Sequence, residues 1–170
     1  MPGNLERWYE TVLVLRCQAG DEDAFGELVG CYGPRLRYYL RKLLGEIDSA
    51  EHVLQDVWLD VIKSVARLAE PAAFSTWIYR IARDRAYREL RRRRHRPMED
   101  FEPAADPRND EEFSREDAER IHDSLNQLAP EHREVLALRF LEEMSYDQIA
   151  QVIDCQLGRR SAHYPGGSGR

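Results

Sequence analysis

No stretch of this chain alternates apolar and polar residues for long enough to make a half-buried strand, so an all-α fold is expected. Apolar runs near twenty residues are missing, as is a charged-then-apolar leader with a small-residue cleavage site. Neither a membrane span nor a secretory signal is therefore expected, and the chain should act in the cytoplasm. Cysteine is scarce. Cys17, Cys31 and Cys155 are odd in number, far apart and without C-x-x-C or Cys/His spacing, which argues against a zinc or redox site and leaves reduced, half-buried thiols as the expectation. There is no phosphate-cradling glycine loop, no H-E-x-x-H and no G-x-S-x-G, and the five histidines are scattered. Catalysis, a metal and a cofactor are not expected, and His52 and His132 read as surface imidazoles. Net positive charge is lacking too: a formal charge of -6 excludes a uniformly basic nucleic-acid coat, so any polyanion binding must be local.

What is present is segregated charge. Residues 71–97, PAAFSTWIYRIARDRAYRELRRRRHRP, read as one helix opened by Pro71 and stopped by Pro97. Phe74, Trp77, Ile78, Ile81 and Ala82 form its inward stripe, while Arg80, Arg83, Tyr87, Arg91 and Arg94 fall at steps of three or four along one solvent-facing ridge. Arg91, Arg92, Arg93, Arg94 and Arg96 concentrate repelling charge beyond what capping a helix dipole needs, and phosphate is the natural anion to relieve it. Trp77, Tyr79 and Tyr87 beside these cations suit unpaired bases, because a ring stacks on any base while arginine holds the phosphates. Trp77 borders both faces, and a core role stays open for it.

The rest of the chain is helical in pattern. A leading helix over residues 5–17 meets Gly20, and Asp21 caps a second helix that Gly33-Pro34 breaks before a third, closed by Gly45. Asp48 to Glu51 read as a capping box for the most regular helix, whose stripe is Ala50, Val53, Leu54, Val57, Trp58, Val61, Ile62 and Val65. After Pro97 an acidic, proline-bearing segment reads as a linker. A second block follows: a helix with Ala118, Ile121, Leu125 and Leu128, a break at Ala129-Pro130, then a helix with Val135, Leu136, Leu138, Phe140 and Leu141. Ser145 to Gln148 form another capping box, opening a short helix that turns Ile149, Ala150 and Ile153 to the core, the front half of a helix-turn-helix.

With those motifs in place, the chain resembles the bacterial sigma factors, and within them the extracytoplasmic-function (ECF) group, over residues 20–157. SAEHVLQDVWLDVIKS is similar to the family's polymerase-clamp-binding helix, AAFSTWIYRIARDRAYRELRRRR to its promoter-melting and downstream-element segment, and LNQLAPEHREVLALRFLEEMSYDQIAQVI to the start of its upstream-element domain. The resemblance implies two small helical domains, residues 1–97 and 114–170, joined by a flexible linker over 98–113. It also implies RNA polymerase core, promoter DNA and an anti-sigma factor as partners. By the same resemblance Glu51, Gln55, Asp56 and Trp58 meet the polymerase, and Phe74, Trp77, Tyr79, Arg80, Arg83 and Arg88 handle the downstream element, where a base is taken out of the stack. The loop over 66–73 corresponds to the part that reads that base.

The resemblance fails at the end of the chain. A turn and a recognition helix beginning near Gly158 belong to the family pattern, whereas this chain runs GRRSAHYPGGSGR. Proline costs about 3 kcal/mol and each glycine about 1 kcal/mol in a helix interior, so the second domain is expected to be incomplete after about 157. Arg159 and Arg160 are then left to touch phosphates without reading base edges at helical spacing, and the Ser145 helix should lack cover for Ile149 and Ile153. Two functions stay open at this point: a sigma factor that directs initiation, or a regulatory protein that holds polymerase or an anti-sigma partner without initiating.

Overall fold

The computed structural model describes residues 4–95 and 123–161, apart from the side chains of 4, 141 and 154–161. Among them every regular element is helical and there is no strand. Helix α1 (Asn4–Gln18) buries Leu13 and Val14 and stops where Gly20 takes a left-handed φ of 89°. Asp21 then accepts the Ala24 N–H at 3.1 Å, capping α2 (Glu22–Leu44), and is held by Arg16 at 2.8 Å.

Helix α2 departs from expectation, since it continues through Gly33-Pro34 as one element. Pro34 forfeits a single backbone bond, and the burial of Leu28, Tyr32, Leu36, Tyr39 and Leu40 on both sides of it keeps the helix whole. Gly45 closes it as expected, with φ 70° and its N–H donating to the Arg41 carbonyl at 2.8 Å.

Helix α3 (Ile47–Ser64) starts earlier than the expected capping box. Its N-cap is Glu46 without a side-chain cap bond, Ser49 donates to the Glu46 carboxylate at 2.7 Å, and Glu51 is drawn away to Arg37 at 2.6 Å. Ala50, Val53, Leu54, Val57 and Val61 form the buried face; Ile62, expected in that stripe, is instead 56% exposed. The connector to the next helix makes two 3₁₀ turns, Val65–Arg67 and Pro71–Ala73, so Pro71 opens a turn and α4 (Phe74–Arg94) follows it. The Gln18 amide clamps the first turn by donating to the carbonyls of Val65 at 3.0 Å and Leu68 at 2.8 Å. Pro97 and the acidic segment lie outside the described residues.

Helices α2, α3 and α4 pack on one another, with α1 against α2 and the connector. Residues 123–126 are helical, and Ala118 and Ile121, expected on the same helix, lie outside the described residues. Helix α5 (Pro130–Leu136) begins at Pro130, runs into a π turn (Ala137–Leu141), and a reversal with Glu143 at φ 49° leads to α6 (Tyr146–Ser161). The Ser145 capping box forms in both directions: the Ser145 N–H donates to the Gln148 side chain at 2.9 Å, and the Gln148 N–H to the Ser145 hydroxyl at 3.2 Å.

Three expectations for this block need correction. Helix α6 is longer than the short helix expected, continuing past Ile153 to Ser161, so Gly158, Arg159 and Arg160 lie in its backbone. Ile149 is buried and Ile153 is half-buried against the core, because α6 packs against α4, which supplies cover that was expected to be absent. Ala150 and Phe140 are exposed instead. The Pro/Gly tail beyond 161 lies outside the described residues. Cys17 is half-buried as expected, whereas Cys31 is exposed.

Candidate nucleic-acid interface and the helix beside it

Helix α4 carries three faces. Phe74, Ile78, Tyr79, Ala82 and Ala86 are buried, and Trp77 and Ile81 are half-buried. Phe74 meets Tyr32 edge-on at 5.3 Å and Trp77 at 5.8 Å, while Tyr79 meets Tyr39 edge-on at 5.2 Å. Phe74 and Tyr79 are thus core residues, and their place among the expected DNA-binding side chains is corrected. A ring fully enclosed by neighbours offers no face to a base.

The expected solvent-facing ridge is divided. Arg88, Arg91 and Arg94 are exposed, Arg80 is half-exposed, but Arg83 is buried. Its Nε donates to Glu134 of α5 at 2.5 Å, and its guanidinium lies 4.4 Å from the Tyr87 ring centroid. Burial is the largest single influence and works against its charge, yet the Glu134 hydrogen bond and negative charge, with Tyr87 and Tyr39 adding to them, together raise the Arg83 pKa. Glu134 also accepts from the hydroxyls of Tyr39 at 2.7 Å and Tyr87 at 3.0 Å. Burial and this carboxylate push the Tyr87 hydroxyl up to about 12 and Tyr39 well above its ordinary value. The arginine cluster at the end of α4 is partly neutralised as well: Arg92 pairs with Glu89 at 2.8 Å, and Arg93 with Glu46 at 2.7 Å.

Helix α3 lies alongside. Arg85 of α4 forks onto both oxygens of Asp60 at 2.7 Å, tying the two helices in register. Of the side chains expected to meet a protein partner, Gln55 is exposed, Asp56 is half-exposed 3.7 Å from Arg85, and Glu51 is engaged by Arg37. Trp58 packs edge-on against Phe25 at 5.8 Å and is half-buried. Sequence reasoning misses Leu59, which is 51% exposed and lies with Gln55 and Ile62 at i, i+4, i+7 on the outer face. The signal is there in the sequence: an apolar stripe that includes Ile62 is already wider than one buried face requires. Between α3 and α4 runs a groove of about 490 Å³ lined by Asp48, His52, Asp56, Arg85, Arg88 and Arg92. Both signs of charge line it, so it is not an anion pocket.

Among the described residues no group of acids, histidines and cysteines could hold a metal, and no helix is long and apolar enough to cross a membrane. The two blocks match separate family models: residues 28–96 that of sigma-70 region 2, and residues 118–159 that of sigma-70, region 4. The chain is 32% identical over 140 residues to the RNA polymerase sigma factor CarQ of Myxococcus xanthus, covering 81% of this chain and 80% of that relative. It is 29% identical over 167 residues to the ECF RNA polymerase sigma-E factor of Haemophilus influenzae, covering 90% and 88%. Its fold is similar to that of CnrH in a complex with the cytosolic domain of CnrY, with a TM-score of 0.60 at 22% identity over 90% of this chain and 92% of that one.

Proposed function

We propose, from the premise that this chain belongs to the sigma-70 family, in its extracytoplasmic-function group, how its surfaces divide the work of directing RNA polymerase core to promoters. The observation that carries the proposal is the outer face of α3. Leu59 and Ile62 are large apolar side chains left more than half exposed beside Gln55 and Asp56. Two such side chains at helical spacing, rimmed by polar and acidic groups, make the kind of patch that a protein partner covers. We assign this face to polymerase, with Trp58 bracing it from within.

The exposed end of α4, with Arg88, Arg91 and Arg94, is assigned to promoter phosphates, and half-buried Trp77 with Arg80 to the downstream element. Residues 1–97 then form the polymerase and downstream-element unit, and residues 114–170 the upstream-element unit. The chain contributes no catalytic group of its own; it selects and opens DNA for the polymerase, inside the cell. A regulator resembling the CnrY cytosolic domain is a fitting third partner, since CnrH shares this fold. Reconstitution with core polymerase on a promoter library tests the assignment. Promoter-specific transcripts are expected, and Leu59→Asp with Ile62→Asp should abolish polymerase pull-down without unfolding the chain. Wild-type capture by that variant would refute the α3 assignment.

A further inference from the structure

Three successive elements between α3 and α4 begin without a cap of their own. Ser64, Glu70 and Ala73 precede the turn Val65–Arg67, the turn Pro71–Ala73 and helix α4, and none of them makes a side-chain cap bond. Residues 66–73, ARLAEPAA, are half alanine, and Arg67 reaches back to the Lys63 carbonyl at 3.2 Å. The polar partners come from α1 instead. Gln18 uses both amide N–H groups, donating to the carbonyls of Val65 at 3.0 Å and Leu68 at 2.8 Å. Eight residues earlier, the half-buried Glu10 carboxylate accepts the Ser75 N–H in the first turn of α4, and the Tyr32 hydroxyl at 2.5 Å. Val14, with no exposed surface, lies between them at steps of four. With a rise of about 1.5 Å per residue, the two grips are about 12 Å apart along α1, one at each end of the connector.

We infer that Gln18 and Glu10 are positioning residues for promoter reading: α1, to which no DNA contact is assigned above, sets the shape in which residues 66–73 meet the extruded base. The inference rests on the reading of that connector and the start of α4 as the downstream-element site. A flipped base is read by hydrogen bonds to its Watson–Crick edge. Such bonds discriminate only while the groups that make them stay in place, so a connector free to change shape would accept several bases with similar affinity. Here the fixed points are backbone atoms, the Val65 and Leu68 carbonyls and the Ser75 N–H, so the grip acts on the course of the chain and not on any one side chain. Gln18 is itself held in place, because α1 stops at the left-handed Gly20 and the Asp21 N–H donates back to the Arg16 carbonyl at 3.0 Å. Base choice is thereby set in part by a helix that lies outside the base-reading segment.

Promoters randomised through the downstream element, transcribed by core polymerase with the full chain, test this. Gln18→Met keeps the length of the side chain and removes both donors. Its preference at the extruded base should flatten by about fivefold or more, while capture of the chain by polymerase stays within about twofold. In the free variant, hydrogen exchange should quicken by about tenfold at the Leu68 and Ala73 amides, whose bonds to the Val65 and Glu70 carbonyls close the two turns. Glu10→Ala should act in the same direction, and Glu10→Gln, which keeps an acceptor for the Ser75 N–H, should restore the parental preference. That pair decides the matter if Gln18→Met fails to fold. Uniformly weaker transcription with an unchanged base preference would reduce both residues to structural supports and overturn the inference. Faster exchange without a change in preference would overturn it as well. Failure of the connector reading is separately visible, because Arg67→Ala with Glu70→Ala, both exposed, would then leave the preference intact.

Discussion

Replacing Phe74 with alanine separates two roles that the sequence left overlapping, a base-stacking ring and a core ring. Phe74 has no exposed surface and is framed by Tyr32 at 5.3 Å and Trp77 at 5.8 Å. Truncating a phenylalanine so enclosed costs about 3–5 kcal/mol, and each aromatic pairing removed is worth about 0.5–1.5 kcal/mol within such measured totals. For a chain of this size 1 kcal/mol moves the melting temperature by about 2–4 °C, so the midpoint should fall by roughly 6–20 °C. Urea unfolding followed by tryptophan fluorescence should show a lower midpoint with an unchanged slope, since the core is loosened without a change in the surface exposed on unfolding. Phe74→Leu should recover a large part of the loss by refilling the cavity. Well below the transition, where Phe74→Ala remains folded, DNA affinity should match that of the parent. A variant with parental stability and abolished promoter binding would refute the core assignment.

Exposed cations should behave differently from buried ones: Arg88→Ala, Arg91→Ala and Arg94→Ala should each flatten the logarithmic salt dependence of duplex binding by about 0.9 for every phosphate no longer neutralised, measured by titration at several salt concentrations. Ser145→Ala removes one half of an observed capping box and should cost about 0.5–2 kcal/mol, read as faster hydrogen exchange at the start of α6. The Arg92 hydrogen bond, with Arg93 beyond it, holds the Glu89 carboxyl below its ordinary 4.5. A depressed acid stabilises the fold fully above that value and loses the contribution as pH falls through its lowered one, so Glu89→Gln should flatten the acid limb of a stability–pH curve. An acid limb in that variant identical to the parent's would refute the role given to Glu89.

Local chemistry sufficed for much of this fold. Helical class, the Asp21 cap, the Gly45 stop and the Ser145 box were legible because each depends on residues within four positions of one another, where side chain and backbone meet whatever the rest of the chain does. The family was legible for the same reason, as three helical motifs in order. Pro34 misled because propensity speaks only of one missing backbone bond, whereas burial of the residues on both sides of it decides whether the helix survives. Glu51 misled because it sits in capping position by spacing, yet Arg37 reaches it from the neighbouring helix.

The ridge of α4 shows most plainly what only tertiary structure decides. Arg83 shares the spacing of Arg80 and Arg91, and nothing in residues 71–97 marks it as different. Its partner Glu134 lies 51 residues along the chain, and it is that carboxylate, brought over by the packing of α5 and α6 on α2 and α4, that turns a surface cation into a buried one. Periodicity fixes which residues share a face of a helix. Whether that face meets water, DNA or another helix depends on contacts distant in sequence, and for α4 both the apolar core and a buried acid were delivered from elsewhere in the chain.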